Sequence, residues 1–295
     1  MTESHEHSAV RKTHALLLLM AVIWGVNFSL IKYATQVIPP LAFTGLRVGM
    51  SAVLLLSIAA LRHRAWPERR DVIFLIMLGV IGNGIYQLLF VEGLSRTKVG
   101  NAALIVAAAP AFIAVASRIK GIERVRRRTL AGVAVSVCGV GLVVFGSART
   151  DHSNATLFGT LLVFGGVLCW TMFTVLLQPL ATRVDPIQLS ALTMTGGAIP
   201  LLFVTPRALV NTQWQLVGPA AWASLLYASV VSMVIAYLFW YRGLRVLGPT
   251  RTAVYGNLQP VIAIGVAWIF LSEAPTVWQG VGTATILSGI FLTRS

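Results

Sequence analysis

The chain has 295 residues, 57% of them hydrophobic and 11% charged, whereas soluble domains average about 45–50% and about 25%, so water is not its main solvent. Cys138 and Cys169 each stand alone in an apolar run, which excludes a disulfide framework and a thiolate metal site, and no metal or cofactor is expected. The net charge of +14 does not point to nucleic acid, because the cations fall in short stretches between long apolar runs, the pattern that orients a membrane protein.

Crossing the hydrocarbon takes about 20 apolar residues at about 1.5 Å rise each. The polar segment 1–14 leads into the first apolar run without a small-residue cleavage site after it, which predicts a retained cytoplasmic tail and not a signal peptide. Ten runs follow, at 15–33, 41–61, 72–90, 99–117, 130–146, 157–177, 187–204, 220–241, 252–271 and 277–292. Gly and Pro inside them are tolerated, since neighbouring helices re-satisfy freed backbone groups. The expected fold class is an all-α integral membrane protein with ten transmembrane helices.

Charge sets the orientation. Alternate loops gather Arg11, Lys12, Arg62, Arg64, Arg69, Arg70, Arg118, Lys120, Arg124, Arg126, Arg127, Arg128, Arg183, Arg242, Arg245, Arg251 and Arg294 on one side. The other side has only Lys32, Arg96, Lys98, Arg149 and Arg207. Both termini are therefore expected in the cytoplasm.

The chain also resembles itself. An ungapped offset of 150 pairs Gly93 with Gly243, Leu94 with Leu244, Ala103 with Ala253, Pro110 with Pro260 and Ile119 with Ile269. It also pairs Glu123 with Glu273, Gly132 with Gly282, Ala134 with Ala284 and Gly139 with Gly289. The expected organisation is a first five-helix repeat over 15–146, an external linker at 147–156 and a second repeat over 157–295. Five spans is an odd number, so the second copy is inverted relative to the first, the arrangement that underlies alternating access.

No Asp or Glu lies near the middle of a run; Glu92, Glu123 and Glu273 sit at run ends, where capping suffices. That disfavours a proton-coupled pump built on a membrane carboxylate. The runs instead carry uncharged polar and aromatic residues at helical spacing: Trp24, Asn27 and Phe28; Asn83, Tyr86 and Gln87; Trp170, Phe173 and Thr174; Tyr237, Trp240 and Tyr241; Tyr255 and Gln259, with Asn257 off that face. Single amides and aromatics are often helix glue or core, and Trp240 and Tyr241 fit an interfacial belt near the cytoplasmic end. Trp24 and Trp170, at mid-depth in corresponding runs, fit a small-molecule cavity better. The predicted substrate-binding residues are Trp24, Asn83, Tyr86, Trp170, Tyr237, Tyr255 and Gln259, followed by Asn27, Asn101 and Asn257. Pro110 and Pro260 are predicted hinges, because a missing amide proton loosens the helix. Arg47, well inside the second run, is open to snorkelling, to bonding a carbonyl or to attracting a substrate anion, with a structural role preferred. Gly79 with Gly82, and Gly282 with Gly289, indicate close helix packing.

Taken in order, these stretches resemble the drug/metabolite transporter superfamily, and within it the proteins with two EamA domains. They are Trp24-Gly25-Val26-Asn27-Phe28, Leu46-Arg47, Tyr86-Gln87 through Glu92-Gly93-Leu94 to Gly100-Asn101-Ala102-Ala103, and Pro110. In the second half they are Trp170, Arg242-Gly243-Leu244, Asn257-Leu258-Gln259-Pro260, and Glu273 followed by Gly282 and Gly289. Lys120-Gly121-Ile122 departs from the usual apolar lead-in to Glu123. The resemblance implies ten helices, cytoplasmic termini, a central cavity between the repeats and export of small metabolites, with an aromatic centre most like that of the aromatic amino acid exporters. The expectation is a monomeric carrier in a bacterial inner membrane, with a small-molecule substrate and the bilayer as its only partners. The alternatives are a multidrug or sugar-type exporter of the same fold, a passive channel, or a membrane enzyme, for which no His-Glu-x-x-His or Gly-x-Ser-x-Gly motif is present.

Overall fold

The computed structural model describes residues 2–62, 64–122, 127–150 and 154–294, and their regular structure is entirely helical. The long helices in chain order are α1 (Thr2–Ala34), α2 (Pro40–Leu61), α3 (Arg69–Arg96), α4 (Val99–Ile119), α5 (Arg127–Thr150), α6 (Asn154–Ala181), α7 (Pro186–Val204), α8 (Pro219–Leu247), α9 (Pro249–Leu271) and α10 (Val277–Arg294). Among the described residues, eight of them are long and apolar enough to cross a membrane, namely all but α5 and α10. A short helix, Pro206–Val210, and a turn at Trp214–Leu216 connect α7 to α8. Glu123, Arg124 and Arg126 lie outside the described residues, as do residues 151–153 of the expected linker.

Local chemistry explains most boundaries. Pro40, Pro186, Pro219 and Pro249 each open a helix, where the missing amide proton costs nothing. Asp185 caps α7 by accepting from the Ile187 amide at 3.0 Å. Within Lys120-Gly121-Ile122, α4 stops on Gly121 at φ +70°, with the Gly121 amide donating to Arg118 O at 2.9 Å and the Ile122 amide to Ser117 O at 2.9 Å. This is a Schellman closure, which glycine adopts without a Cβ penalty. The polar start of the chain is helical from Thr2 and continuous with α1. It contains neither Gly nor Pro, and Arg242 Nε of α8 donates to Thr13 Oγ1 at 3.0 Å.

Ends of helices from different parts of the chain satisfy one another. Lys32, expected among the outer loop cations, instead donates to the carbonyls of Leu94, Ser95 and Thr97 at 3.3, 2.9 and 2.8 Å, closing the C-terminus of α3. Glu273, beyond α9, accepts from the Val99 amide at 2.8 Å and so caps α4. At the opposite end of the bundle, Arg183 pairs with Asp71 at 2.7 Å and Arg64 with Asp185, contacts that are exposed and worth little each.

Packing follows the offset of 150. Helix α1 packs on α8 and α9, α6 packs on α3 and α4, and these contacts exchange when the halves are exchanged. Helix α2 lies against α7, and α5 against α10. Two hydrogen bonds join residues 150 apart: Gln87 Nε2 to Tyr237 OH at 2.9 Å and Ser136 Oγ to Ile286 O at 3.4 Å. Both α3 and α8 widen into π-helix near their middles, at Val80–Ile85 and Tyr227–Ile235, stretches that overlap under the same offset.

Glycine permits the closest crossing, between α3 and α7. A Cβ on Gly79 would sit 2.1 Å from Thr193 O, and one on Gly196 would sit 2.0 Å from Ile76 O. We expect Gly196→Ala to lower the stability of the detergent-purified protein by about 1–3 kcal/mol through overpacking, read as a lower thermal midpoint. Gly49→Ala, where nothing lies within 4 Å, should leave the midpoint unchanged or slightly raised.

Candidate functional site

The interior of the bundle contains an aromatic cluster drawn from four helices. Trp24 of α1 meets Trp170 of α6 at a centroid separation of 5.9 Å, Tyr237 of α8 at 5.6 Å and Trp240 at 5.7 Å. Trp170 also contacts Tyr86 of α3 at 5.2 Å, Tyr237 at 5.7 Å and Trp240 at 5.3 Å. Several of these pairs are edge-to-face, the geometry in which ring edges meet ring faces, and each contributes about 0.5–1.5 kcal/mol beyond its buried area.

A slip in backbone bonding fixes Trp24. In the π stretch of α8 the Ala236 amide bonds Val231 O, five residues back, instead of Ser232 O. Ser232 O accepts the Trp24 indole N–H at 3.1 Å. Tyr227, at the start of the same stretch, returns a hydroxyl bond to Ile23 O at 3.1 Å. The irregular stretch of α8 thus gives α1 two adjacent anchoring points, at Ile23 and Trp24.

The cluster borders a cavity of about 50 Å³. That is room for roughly three or four waters and no more. Of the residues expected to bind substrate, Trp24, Asn27, Tyr86, Trp170, Tyr237 and Gln259 line it, as does Pro110. Part of the wall comes from interruptions in two helices. Helix α4 breaks at Ala108, where the Ala111 amide bonds Ala108 O in place of a full α-turn and Pro110 has no amide to offer. Helix α9 passes through a 3₁₀ stretch, Val254–Leu258, before resuming at Gln259 with Pro260 in its first turn.

The other expected residues lie elsewhere. Asn83 is buried in the π stretch of α3, with its backbone and Cβ against Gly197 of α7. Asn101 accepts from Gln279 Nε2 of α10 at 2.9 Å. Tyr255 pairs its hydroxyl with His14 Nδ1, within the first half of α1. Asn257 is half-buried in the 3₁₀ stretch, outside the cavity wall.

Three residues change their reading. Trp240 and Tyr241 are not an interfacial belt: they are 2% and 1% exposed, Trp240 inside the aromatic cluster and Tyr241 bonded to Thr193 Oγ1 at 3.2 Å. Their spacing of three and four from Tyr237 places them on its inward face, and that face outweighs their distance from the helix middle. Arg47 does not snorkel. It is 2% exposed and lines the cavity, with Nη2 donating to Gln87 Oε1 at 3.1 Å and Nε to Met233 Sδ at 3.2 Å. Gln87 is visible in sequence as the neighbour of Tyr86, but nothing in the spacing shows that it bridges Arg47 and Tyr237.

Comparison with known proteins is consistent with this architecture. An uncharacterized transporter of Archaeoglobus fulgidus is 30% identical over 287 residues, covering 96% of this chain and 98% of that protein. A Salmonella typhimurium protein named probable amino-acid metabolite efflux pump is 27% identical over 292 residues, covering 96% and 94%. A solved crystal structure shares the fold with a TM-score of 0.68 at 16% identity, covering 96% of this chain and 98% of its own. The sequence pattern of the EamA-like transporter family matches twice, over residues 11–145 and 157–295. With two copies of that pattern and eight membrane-length apolar helices, the chain is a multi-pass membrane protein that belongs to the EamA-like transporter family.

Proposed function

We propose that the protein exports small metabolites, neutral and aromatic amino acids foremost, across a bacterial inner membrane by alternating access. In this reading ten spans form two five-helix repeats of opposite orientation, both termini are cytoplasmic, and the carrier works as a monomer. One observation carries the proposal: an aromatic-walled cavity lies where the two halves meet, bordered by helix interruptions at Pro110 and Gln259. Interrupted helices at such a junction are where carriers with inverted repeats bind their cargo, because unwound backbone is tolerated only beside a cavity.

The Gln87–Tyr237 bond supports the symmetry argument. A residue that touches its own repeat mate lies on or near the axis relating the halves, and for halves of opposite orientation that axis runs in the membrane plane at mid-depth. A cavity of about 50 Å³ holds no amino acid, so substrate entry requires its walls to part. Pro110 and Pro260, beside the interruptions, are the proposed hinges for that movement. The Salmonella relative's name agrees with an amino-acid cargo. No carboxylate lies among the cavity-lining residues, so movement down the substrate's own gradient is expected.

Uptake of labelled amino acids into proteoliposomes tests the assignment. Trp24→Ala and Trp170→Ala should each reduce the transport rate about 10-fold or more, since each indole loses several ring contacts. Trp268→Ala, the same change on a side chain 60% exposed on the outer surface of the bundle, should not. Equal rates in all three variants would sink the cavity assignment. Topology is tested by single cysteines placed at Glu68 and Gln213 after Cys138 and Cys169 are replaced. An impermeant maleimide added to intact cells should label the second and spare the first.

A further inference from the structure

We propose that Arg47 is the carboxylate anchor of the transported substrate, and that Asn27 Oδ1 receives the substrate's ammonium group. The inference rests on reading the central cavity as the transport site, and it narrows the cargo to carboxylates, zwitterionic amino acids above all.

Arg47 stands about 10 Å along α2 from its first residue, within the apolar span. A cation so placed is costly unless paired. Lys32 in the same protein has three carbonyls for its three donors. Arg47 has no carboxylate or backbone carbonyl: its partners are a neutral amide, a thioether and the Phe43 ring, 6.0 Å from the guanidinium carbon, and Nη1 is buried with no hydrogen-bond partner. The ion pairs among the described residues join Arg64, Arg96 and Arg183 to acids, and none involves Arg47. A guanidinium carries five N–H donors in a planar fork that matches a carboxylate, so the vacant edge is shaped for that group.

The rest of the cavity wall has matching polarity. Three cavity-lining polar atoms are buried without partners: Arg47 Nη1 and Trp240 Nε1, both donors, and Asn27 Oδ1, an acceptor. Two donors suit a carboxylate and the acceptor suits an ammonium. Arg47 is also held in place before any ligand arrives. Tyr237 OH fixes the Gln87 amide nitrogen at 2.9 Å, which turns Gln87 Oε1 toward Arg47. A cationic amine without a carboxylate would leave the guanidinium uncompensated and add a second positive charge, so such compounds are rejected.

The test is binding to the purified full chain in detergent, followed by tryptophan fluorescence, with L-phenylalanine, 3-phenylpropionate and phenethylamine as probes. The wild-type protein should bind the first two and bind phenethylamine about 30-fold more weakly than L-phenylalanine, the ratio expected for one charge-assisted bond. Arg47→Met should weaken both carboxylates by about that factor while leaving phenethylamine no weaker. Its thermal midpoint should not fall, because an unpaired buried cation is removed. Asn27→Leu should weaken L-phenylalanine and spare 3-phenylpropionate. A lower midpoint in Arg47→Met with an unchanged ratio of L-phenylalanine to phenethylamine would mark Arg47 as structural and overturn the proposal. If that variant does not fold, the wild-type series decides, and phenethylamine binding as well as L-phenylalanine overturns it. Binding of none of the three probes would sink the amino-acid reading as well, whereas strong phenethylamine binding sinks this inference alone.

Discussion

Hydrocarbon offers no hydrogen-bond partners, and every polar atom in the bundle has to find one inside the protein. Several helix ends meet this requirement across elements: the Lys32 ammonium closes α3, the Glu273 carboxylate caps α4, and Asp185 caps α7. In the interior, the Ser232 carbonyl takes the Trp24 indole, and Asn101 takes Gln279. Buried side-chain atoms without a hydrogen-bond partner occur elsewhere too, on Asn83, Ser117 and Thr174 among others, but those of Arg47, Asn27 and Trp240 share the wall of one cavity. On the proposed reading, that wall is where a solute completes the pairing.

The path from residue to transport runs through helix irregularities. Apolar runs of membrane length make the spans, and glycines bring α3 and α7 into backbone contact. The breaks at Ala108 and at Val254–Leu258 interrupt that regularity on the cavity wall. The aromatic cluster leaves only a small cavity, and half of its ring pairs meet edge-to-face. On the proposed reading, the closed cavity and the broken helices belong together, as a core whose contacts part without unfolding a helix.

Much of the fold is legible in the sequence, and the reasons are physical. Apolar runs this long and this numerous are stable in hydrocarbon and not in water, and the Gly and Pro identities at an offset of 150 expose the internal repetition without any knowledge of contacts. Helical spacing groups Trp24, Asn27 and Phe28, and all three line the cavity, whereas Asn83, grouped by the same spacing with Tyr86 and Gln87, does not. Spacing fails where a neighbour decides. In sequence Asn101 looks like Asn27, but α10 brings Gln279 to it, and Tyr255 meets His14 across 241 residues. Trp240 misleads because its distance from the helix middle suggests an interface, while the face it shares with Tyr237 turns it inward. For Arg47, composition flags a buried cation, but only the three-dimensional inventory of partners shows one edge left vacant.

The π stretches in α3 and α8 have a consequence for the register of the whole bundle. One residue more than the α-repeat requires advances the azimuth of everything downstream by about 100°. Tyr237 and Trp240 follow the stretch in α8, and Tyr86 follows the one in α3, so the direction in which these rings point is set by a surplus residue upstream and not by the helix as a continuous rod. Each of these helices thus carries two stripes out of phase, one serving the contacts before the slip and one facing the cavity after it. A single-residue change in helix length within either stretch is in effect a rotation of the binding wall.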